Sequence, residues 1–185
     1  MNDIHDPAAV PEAALKHTDA GLVPAGDGWF VLGAREARWR HSKGRGRVLS
    51  FEGETDFPQV GVSLYVLAPG ETMAIYHREP DQEDFLVLSG QALLVVEGEE
   101  RPLRQWDFVH CPAEAKHAIV GAGDGLCVVL AVGARQHRAG GAFPVDDAAL
   151  RHGAGVEQET ADPKQAYARF PAPEPTRYRD GWLPN

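Results

Sequence analysis

Four side chains of this chain are suited to hold a divalent transition metal: His77, Glu79, Glu83 and His117, two imidazoles and two carboxylates. On an extended strand successive side chains alternate faces, so His77 and Glu79 point to the same side. Glu83 follows after the turn-like Pro80-Asp81-Gln82, and His117 lies just past Cys111-Pro112. Metal ligands must be neutral imidazole or ionised carboxylate aimed inward, with positions left open for water or substrate. The constellation therefore asks for a β-barrel whose interior carries a metal. The competing reading is chance, since a chain with 8 His and 27 acids places some of them near one another without any ion.

The elements that must position these residues are readable from turn chemistry. Residues 29–32, 47–51, 60–67, 72–77, 84–88, 92–96, 107–111, 118–120 and 126–132 read as strands, rich in β-branched and aromatic residues. Pro69-Gly70, Ser89-Gly90, Glu97-Gly98 and the glycine-rich 121–125 supply the tight-turn positions between them. Many short strands with no long helical pattern imply an all-β sandwich or barrel. We place the barrel at 29–135, flanked by an N-terminal arm (1–28) and a C-terminal arm (136–185). The first arm carries a short helical pattern at 11–17, opened by Pro11. The second carries one helix at about 147–152 closed by Gly153, and another starting at Asp162-Pro163 and running to Arg169. The proline-rich 170–175, followed by Tyr178 and Trp182, reads as an extended arm packed on the barrel.

The spacing of Gly70, His77, Glu83 and Gly90, and then of Asp107, Pro112 and His117, resembles the two short motifs of the cupin superfamily. Three positions depart from the pattern: Glu79 stands for the second His of the first motif, and Trp106 and Glu114 stand for the glycines of the second. The resemblance covers about residues 60–133. It implies a single cupin barrel, a double-stranded β-helix of jelly-roll type, with short helical or extended terminal arms. It also implies a metal held at His77, Glu79, Glu83 and His117. It does not choose a reaction, because one fold hosts many chemistries.

Against the family's set of three His and one Glu, Glu79 adds a negative charge and removes an imidazole. With two carboxylates around a divalent ion the ligand set is formally neutral, which lowers Lewis acidity, and its harder oxygen donors favour Mn, Fe or Zn over Cu, with Ni a further candidate. If Glu79 is not a ligand, it is the candidate catalytic residue: a carboxylate among apolar barrel walls has a raised pKa and suits a general base. An alternative uses His77, Glu79 and His117 as the two-His, one-carboxylate triad of non-haem Fe(II) oxygenases. A 2-oxoglutarate-dependent member would need a downstream arginine, of which Arg135 is the nearest. Two classes of function follow: a metal-dependent isomerase, lyase or dioxygenase acting on a small metabolite, or a non-catalytic small-molecule-binding or sensor barrel. His110 and Trp106 are candidates for the pocket mouth, with strand packing as the default for each.

Composition narrows the partners. The net charge of −9 and pI near 5.3 argue against non-specific nucleic-acid or anionic-membrane binding. A local basic run, Arg35, Arg38, Arg40, Lys43, Arg45 and Arg47, is read as an edge strand blunted by charge or as a surface meeting acids of a partner subunit. The two cysteines, Cys111 and Cys127, make no disulfide framework and suit a reducing compartment. Cys111 is read as a small buried residue. With no signal-peptide pattern at the N-terminus and no apolar run long enough to cross a bilayer, the expected location is the cytoplasm. Residues 85–88 and 126–132 are apolar at both odd and even positions, so both faces of those strands are covered, by the arms or by a second subunit. Homodimerisation is the expectation drawn from them.

Overall fold

Three central strands set the architecture: β5 (Val60–Leu67), β11 (Cys127–Ala134) and β6 (Glu83–Ser89), paired antiparallel in the order β5-β11-β6. In this computed structural model, which describes residues 9–53, 56–137 and 139–184, they form the middle of a seven-stranded sheet. β4 (Gly46–Ser50), β3 (Trp39–Ser42) and β12 (Glu174–Thr176) extend the sheet on one side, and β9 (Phe108–Cys111) closes the other. A second sheet orders β10 (His117–Ala122), β7 (Gln91–Val96) and β8 (Glu99–Arg104). The two sheets enclose one apolar core, with Leu67, Phe85, Val87 and Val129 from the first packed on Ala92, Leu94 and Ile119 from the second. The fold is all-β, a jelly-roll barrel.

Register decides which side chains enter the barrel. Val129 pairs with Tyr65 and Val87, Ala131 with Phe85, and Gly133 with Glu83, so odd-numbered residues of these three strands face inward. Glu83 therefore shares the inner face of β6 with Phe85 and Val87. His117 shares the inner face of β10 with Ile119, while Ala118 and Val120 face out against Ala148 and Ala149. The latter two belong to α1 (Asp147–Arg151), capped by the Asp146 carboxylate accepting from Ala149 N at 2.9 Å.

The outer face of the large sheet is covered by the chain itself. Leu49, Leu64, Val66 and Val128 pack there with Ala37 and the fully buried Trp39, and Tyr178, Trp182 and Leu183 close over them. Trp182 meets Trp39 edge-on at 5.5 Å between ring centroids. Both faces of 126–132 are thus accounted for within one chain, and the apolar pattern alone gives no reason for a second subunit. The C-terminal segment packs on the barrel as expected, with β12 pairing β3. Of the basic run, Arg35 and Arg38 precede β3, Arg40 lies on β3, Lys43 and Arg45 on the connection, and Arg47 on β4. β3 would be an edge strand, but β12 covers it.

Four elements differ from the sequence expectation. Residues 11–17 are not helical: β1 (Ala14–Thr18) pairs with β2 (Gly21–Ala25) as a hairpin. Seven residues are too few for an independently stable helix, and the turn closed by Thr18 Oγ1 donating to Gly21 O at 2.7 Å favours the strand pairing. Residues 29–32 make no ladder beyond an isolated bridge between Trp29 and Glu12. The stretch 72–77 is bridged only at Thr72 and His77, because two of the intervening amides turn to the C-terminal arm: Ile75 N donates to Tyr167 Oη (3.3 Å) and Tyr76 N to Ala154 O (2.7 Å). The second helix is short, α2 (Pro163–Ala166), with Asp162 as N-cap. β3 and β8 lie outside the expected strands. β8 reads Glu-Glu-Arg-Pro-Leu-Arg and is almost wholly exposed at a sheet edge, so it lacks an apolar signature. No helix among the described residues is long and apolar enough to cross a membrane.

Candidate metal centre

Three side chains converge at one end of the barrel lumen. Glu83 Oε2 lies 3.3 Å from His77 Nε2 and 3.3 Å from His117 Nε2. The ligand-capable atoms of these three residues all fall within 4.8 Å of one another. His77 and His117 are buried, and Glu83 is partly so. Phe85 packs on the His117 ring at 5.3 Å and Phe143 stacks on His77 at 6.0 Å.

The far nitrogen of each imidazole is committed to the backbone. His77 Nδ1 bonds to Ile75 O at 2.8 Å and His117 Nδ1 to Ala115 O at 3.0 Å. A carbonyl only accepts, so each Nδ1 carries the proton and, in the neutral ring, each Nε2 presents a lone pair. Those lone pairs face the Glu83 carboxylate. Glu83 Oε2 and His117 Nε2 are buried and have no hydrogen-bond partner of acceptable geometry in the protein. Two acceptors and a carboxylate in van der Waals proximity repel unless a cation, a proton or a metal, lies among them. This donor set fits a divalent metal ion.

In the ion-free protein, protons must fill that role. Burial disfavours charge on His117, but Cys111 and the Glu83 carboxylate beside it outweigh that and raise the imidazole to about 9. Burial likewise opposes charge on His77, yet Glu83 raises it. For Glu83, burial is outweighed by the His117 and His77 imidazoles facing it, which hold the carboxyl down at about 2. Cys111 is buried in the core beside this site.

Glu79 stands apart from the three. Its Oε1 is 3.9 Å from His77 Nε2, its side chain is 44% exposed, and it lies outside the His77, Glu83 and His117 group. Burial of its inner part, opposed by His77 and reinforced by the Glu83 charge, raises its pKa. It sits against Gly141, where a Cβ would come within 3.3 Å of Glu79 Oε2. The carboxylate thus occupies the solvent side of the cluster. His110 and Trp106 do not line it: His110 bonds to Asp84 at 2.7 Å on the outer face of β6 and β9, and Trp106 is 66% exposed. Arg135 is held by Glu52, with Nη2 to Oε2 at 2.8 Å, and by Phe57 O at 3.0 Å. A groove of about 910 Å³ on the outer face of the small sheet is lined by Leu93, Pro102, Val120 and Arg151, and by none of the cluster residues.

Two motif departures leave a backbone signature. Trp106 and Glu114, which stand where glycines were expected, adopt φ of +74° and +71°. The turns keep the left-handed geometry that glycine adopts without strain, although neither residue is glycine. Gly90 retains its residue for a steric reason: a Cβ there would meet Leu126 O at 2.3 Å.

The family model described as Cupin domain matches residues 63–133, which run through β5 to β11 and include all four candidate ligands. Over residues 63–133 the barrel matches a cupin domain. Among solved structures, one described provisionally as a sugar phosphate isomerase from Acidithiobacillus ferrooxidans is 33% identical over 42% of this chain and 51% of its own, with a TM-score of 0.40. A sugar phosphate isomerase from a cupin superfamily, from Silicibacter pomeroyi, is 27% identical over 56% and 62%, with a TM-score of 0.44. The chain thus spans less than two thirds of either protein. The polyketide cyclase RemF from Streptomyces resistomycificus superposes with a TM-score of 0.50 at 14% identity, over 60% of this chain and 82% of its own, a likeness of fold alone. No curated protein matches the chain.

Sequence reasoning missed the residues that line the lumen beside the cluster: Tyr65, Phe143, Tyr167 and Arg45. Tyr65 was within reach, since its odd position on β5 aims it inward. Phe143 and Tyr167 belong to the C-terminal segment, whose return to the barrel no local pattern announces.

Proposed function

We propose that this cupin binds one divalent metal ion through His77, Glu83 and His117, with Glu79 completing the set from the solvent side. The barrel then takes a small metabolite, entering past Glu79, as substrate. The observation that carries this reading is the convergence of two Nε2 lone pairs and a carboxylate oxygen, two of the three atoms buried without protein partners. When bound, such an ion supplies Lewis acidity and acidifies water or substrate in its open positions. The chain's own groups do the rest. The backbone carbonyls of Ile75 and Ala115 hold both imidazoles in one tautomer, Phe85 and Phe143 exclude water from their faces, and Glu79 can hold or take a proton at the mouth. The alternative in which Glu79 replaces Glu83 in an oxygenase triad has less support, since Glu83 is the carboxylate nearer to both histidines.

Elemental analysis of protein stripped and reloaded separately with Zn, Mn, Fe(II) and Ni tests the site. The expected result is about one equivalent in the wild type and loss of it in His77→Ala and His117→Ala. A full equivalent in both variants would refute the assignment. Oxygen uptake by the iron-loaded protein across a metabolite panel separates oxygenase chemistry from isomerisation or elimination.

A further inference from the structure

Arg45 and Arg47 lie two residues apart at the start of β4, and their surroundings differ in kind. Arg47 Nη1 pairs with Glu71 Oε2 at 2.9 Å. Arg45 meets no carboxylate among the described residues: its Nε is buried without a hydrogen-bond partner in the protein, and its Nη2 has only a 3.4 Å contact to Met73 O. The flat face of the guanidinium lies over the Tyr167 ring at 4.2 Å. Stacking fixes the plane but satisfies none of the N–H donors along its edge. A buried guanidinium N–H left without an acceptor is costly, and an oxyanion that took it would remove that cost.

A chain of packed rings links this guanidinium to the metal cluster. Tyr167 packs edge-on against Phe143 at 5.6 Å, and Phe143 in turn stacks on His77. The Tyr167 hydroxyl accepts from Ile75 N while His77 Nδ1 bonds to Ile75 O, so both are anchored to one residue. Tyr65 and Tyr167 are half-buried. The charges of Arg45 and Glu83 both reach the two phenols. Burial pushes the Tyr65 phenol up to about 12 and also raises Tyr167, so both stay protonated and able to donate a hydrogen bond.

We propose that the substrate of this barrel is a small oxyanion, a carboxylate or phosphate, whose acid group is clamped by the Nε and Nη edge of Arg45 while the rest of the molecule extends past Tyr65 and Tyr167 toward the His77, Glu83 and His117 cluster. The inference rests on that cluster being the reactive centre, but Arg45 contributes no atom to it, so the two can fail separately. An aromatic wall of Tyr167 and Phe143 beside a fixed guanidinium suits a planar carboxylate, whereas a phosphate needs only the charge and the fork.

Calorimetric titration with sodium benzoate and, separately, with inorganic phosphate tests it on the wild type, Arg45→Gln, Arg45→Lys and the surface control Arg101→Gln, with metal content measured on each. The expected result is saturable binding of at least one probe by the wild type and the control. Binding should weaken at least about ten-fold in Arg45→Gln and by a smaller factor in Arg45→Lys, with metal content unchanged in both. Benzoate binding without phosphate binding identifies the carboxylate source, and the converse identifies phosphate. Failure of the wild type to bind either probe, or equal binding by Arg45→Gln, overturns the proposal. On wild-type protein the Arg45 Nε–H resonance should shift on addition of the bound probe, and an unmoved resonance overturns it without recourse to a variant. Metal retained by both His77→Ala and His117→Ala would sink the metal reading and leave the Arg45 result to stand or fall by itself.

Discussion

His77 and His117 face each other across an isolated antiparallel bridge and exchange both backbone hydrogen bonds, His77 N to His117 O at 3.1 Å and His117 N to His77 O at 2.8 Å. Their rings stand 4.8 Å apart. Forty residues separate them in sequence, so the pair exists only because the irregular segment 72–77 returns to β10 at that point. The bridge makes the two imidazoles a rigid unit, which keeps the entropic cost of organising a metal site low.

Metal affinity should rise with pH. The metal-free imidazoles hold protons that an incoming ion must displace, and that of His117 is held to about 9. Apparent affinity therefore climbs until roughly that pH and then levels. Zinc titration in two buffers of different ionisation enthalpy should reveal proton release at about pH 7, and release of none would contradict the ligand assignment.

The stability of the metal-free protein should depend on pH in two opposite senses. His117 is raised from 6.5 to about 9, so its contribution is fully present below about 6.5 and is lost as pH rises through about 9. Glu83 is lowered from 4.5 to about 2, so its contribution is present above about 4.5 and is lost as pH falls through about 2. The cluster thus stabilises most between about 4.5 and 6.5. Denaturant melts across pH should show the alkaline decline in the wild type and a flatter limb in His117→Asn.

Glu79→Gln distinguishes ligand from base. If the carboxylate completes the metal set, affinity falls by about 10- to 100-fold. If it serves as general base, metal content is kept and turnover falls by about two to four orders of magnitude. We expect the first, read by competition with a chelator. A variant indistinguishable in both would make Glu79 an ordinary acid of the rim.

Trp106→Gly should stabilise the protein. Trp106 holds φ at +74° with its side chain 66% exposed, so glycine relieves left-handed strain while giving up little burial. A gain of up to about 1 kcal/mol, seen as a Tm rise of a few degrees, is expected. A lower Tm would mean that the indole makes a packing contribution larger than the strain.

Trp182→Ala should lower stability by about 2 kcal/mol while leaving metal content unchanged, because Trp182 covers Trp39 on the outer face of the sheet and no cluster residue touches it. Loss of metal in this variant would couple the arm to the lumen.

The barrel and its ligand candidates were legible in the sequence because they rest on local rules. Short apolar, β-branched runs on β5, β6 and β11, glycine at the tight turns, and the intervals from His77 to Glu83 and from Asp107 to His117 are set within a few residues, and each carries its own signature. The helix at Asp147–Arg151 declared itself in the same way, through Gly153 after it. What only the tertiary structure decided involves partners distant in the chain. Residues 11–17 became a strand because β2 was available to pair, and 72–77 lost its ladder because Tyr167 and Ala154 took its amides. The apolar outer face of β11, which from sequence could have been covered by a second subunit, is met by Trp39 and Trp182. Arg45, one of six basic residues in a run, differs from Arg47 only in what the fold sets against it: a tyrosine ring in place of a carboxylate. A side chain's type states which interactions it can make, and the return of distant segments decides which of them it does make.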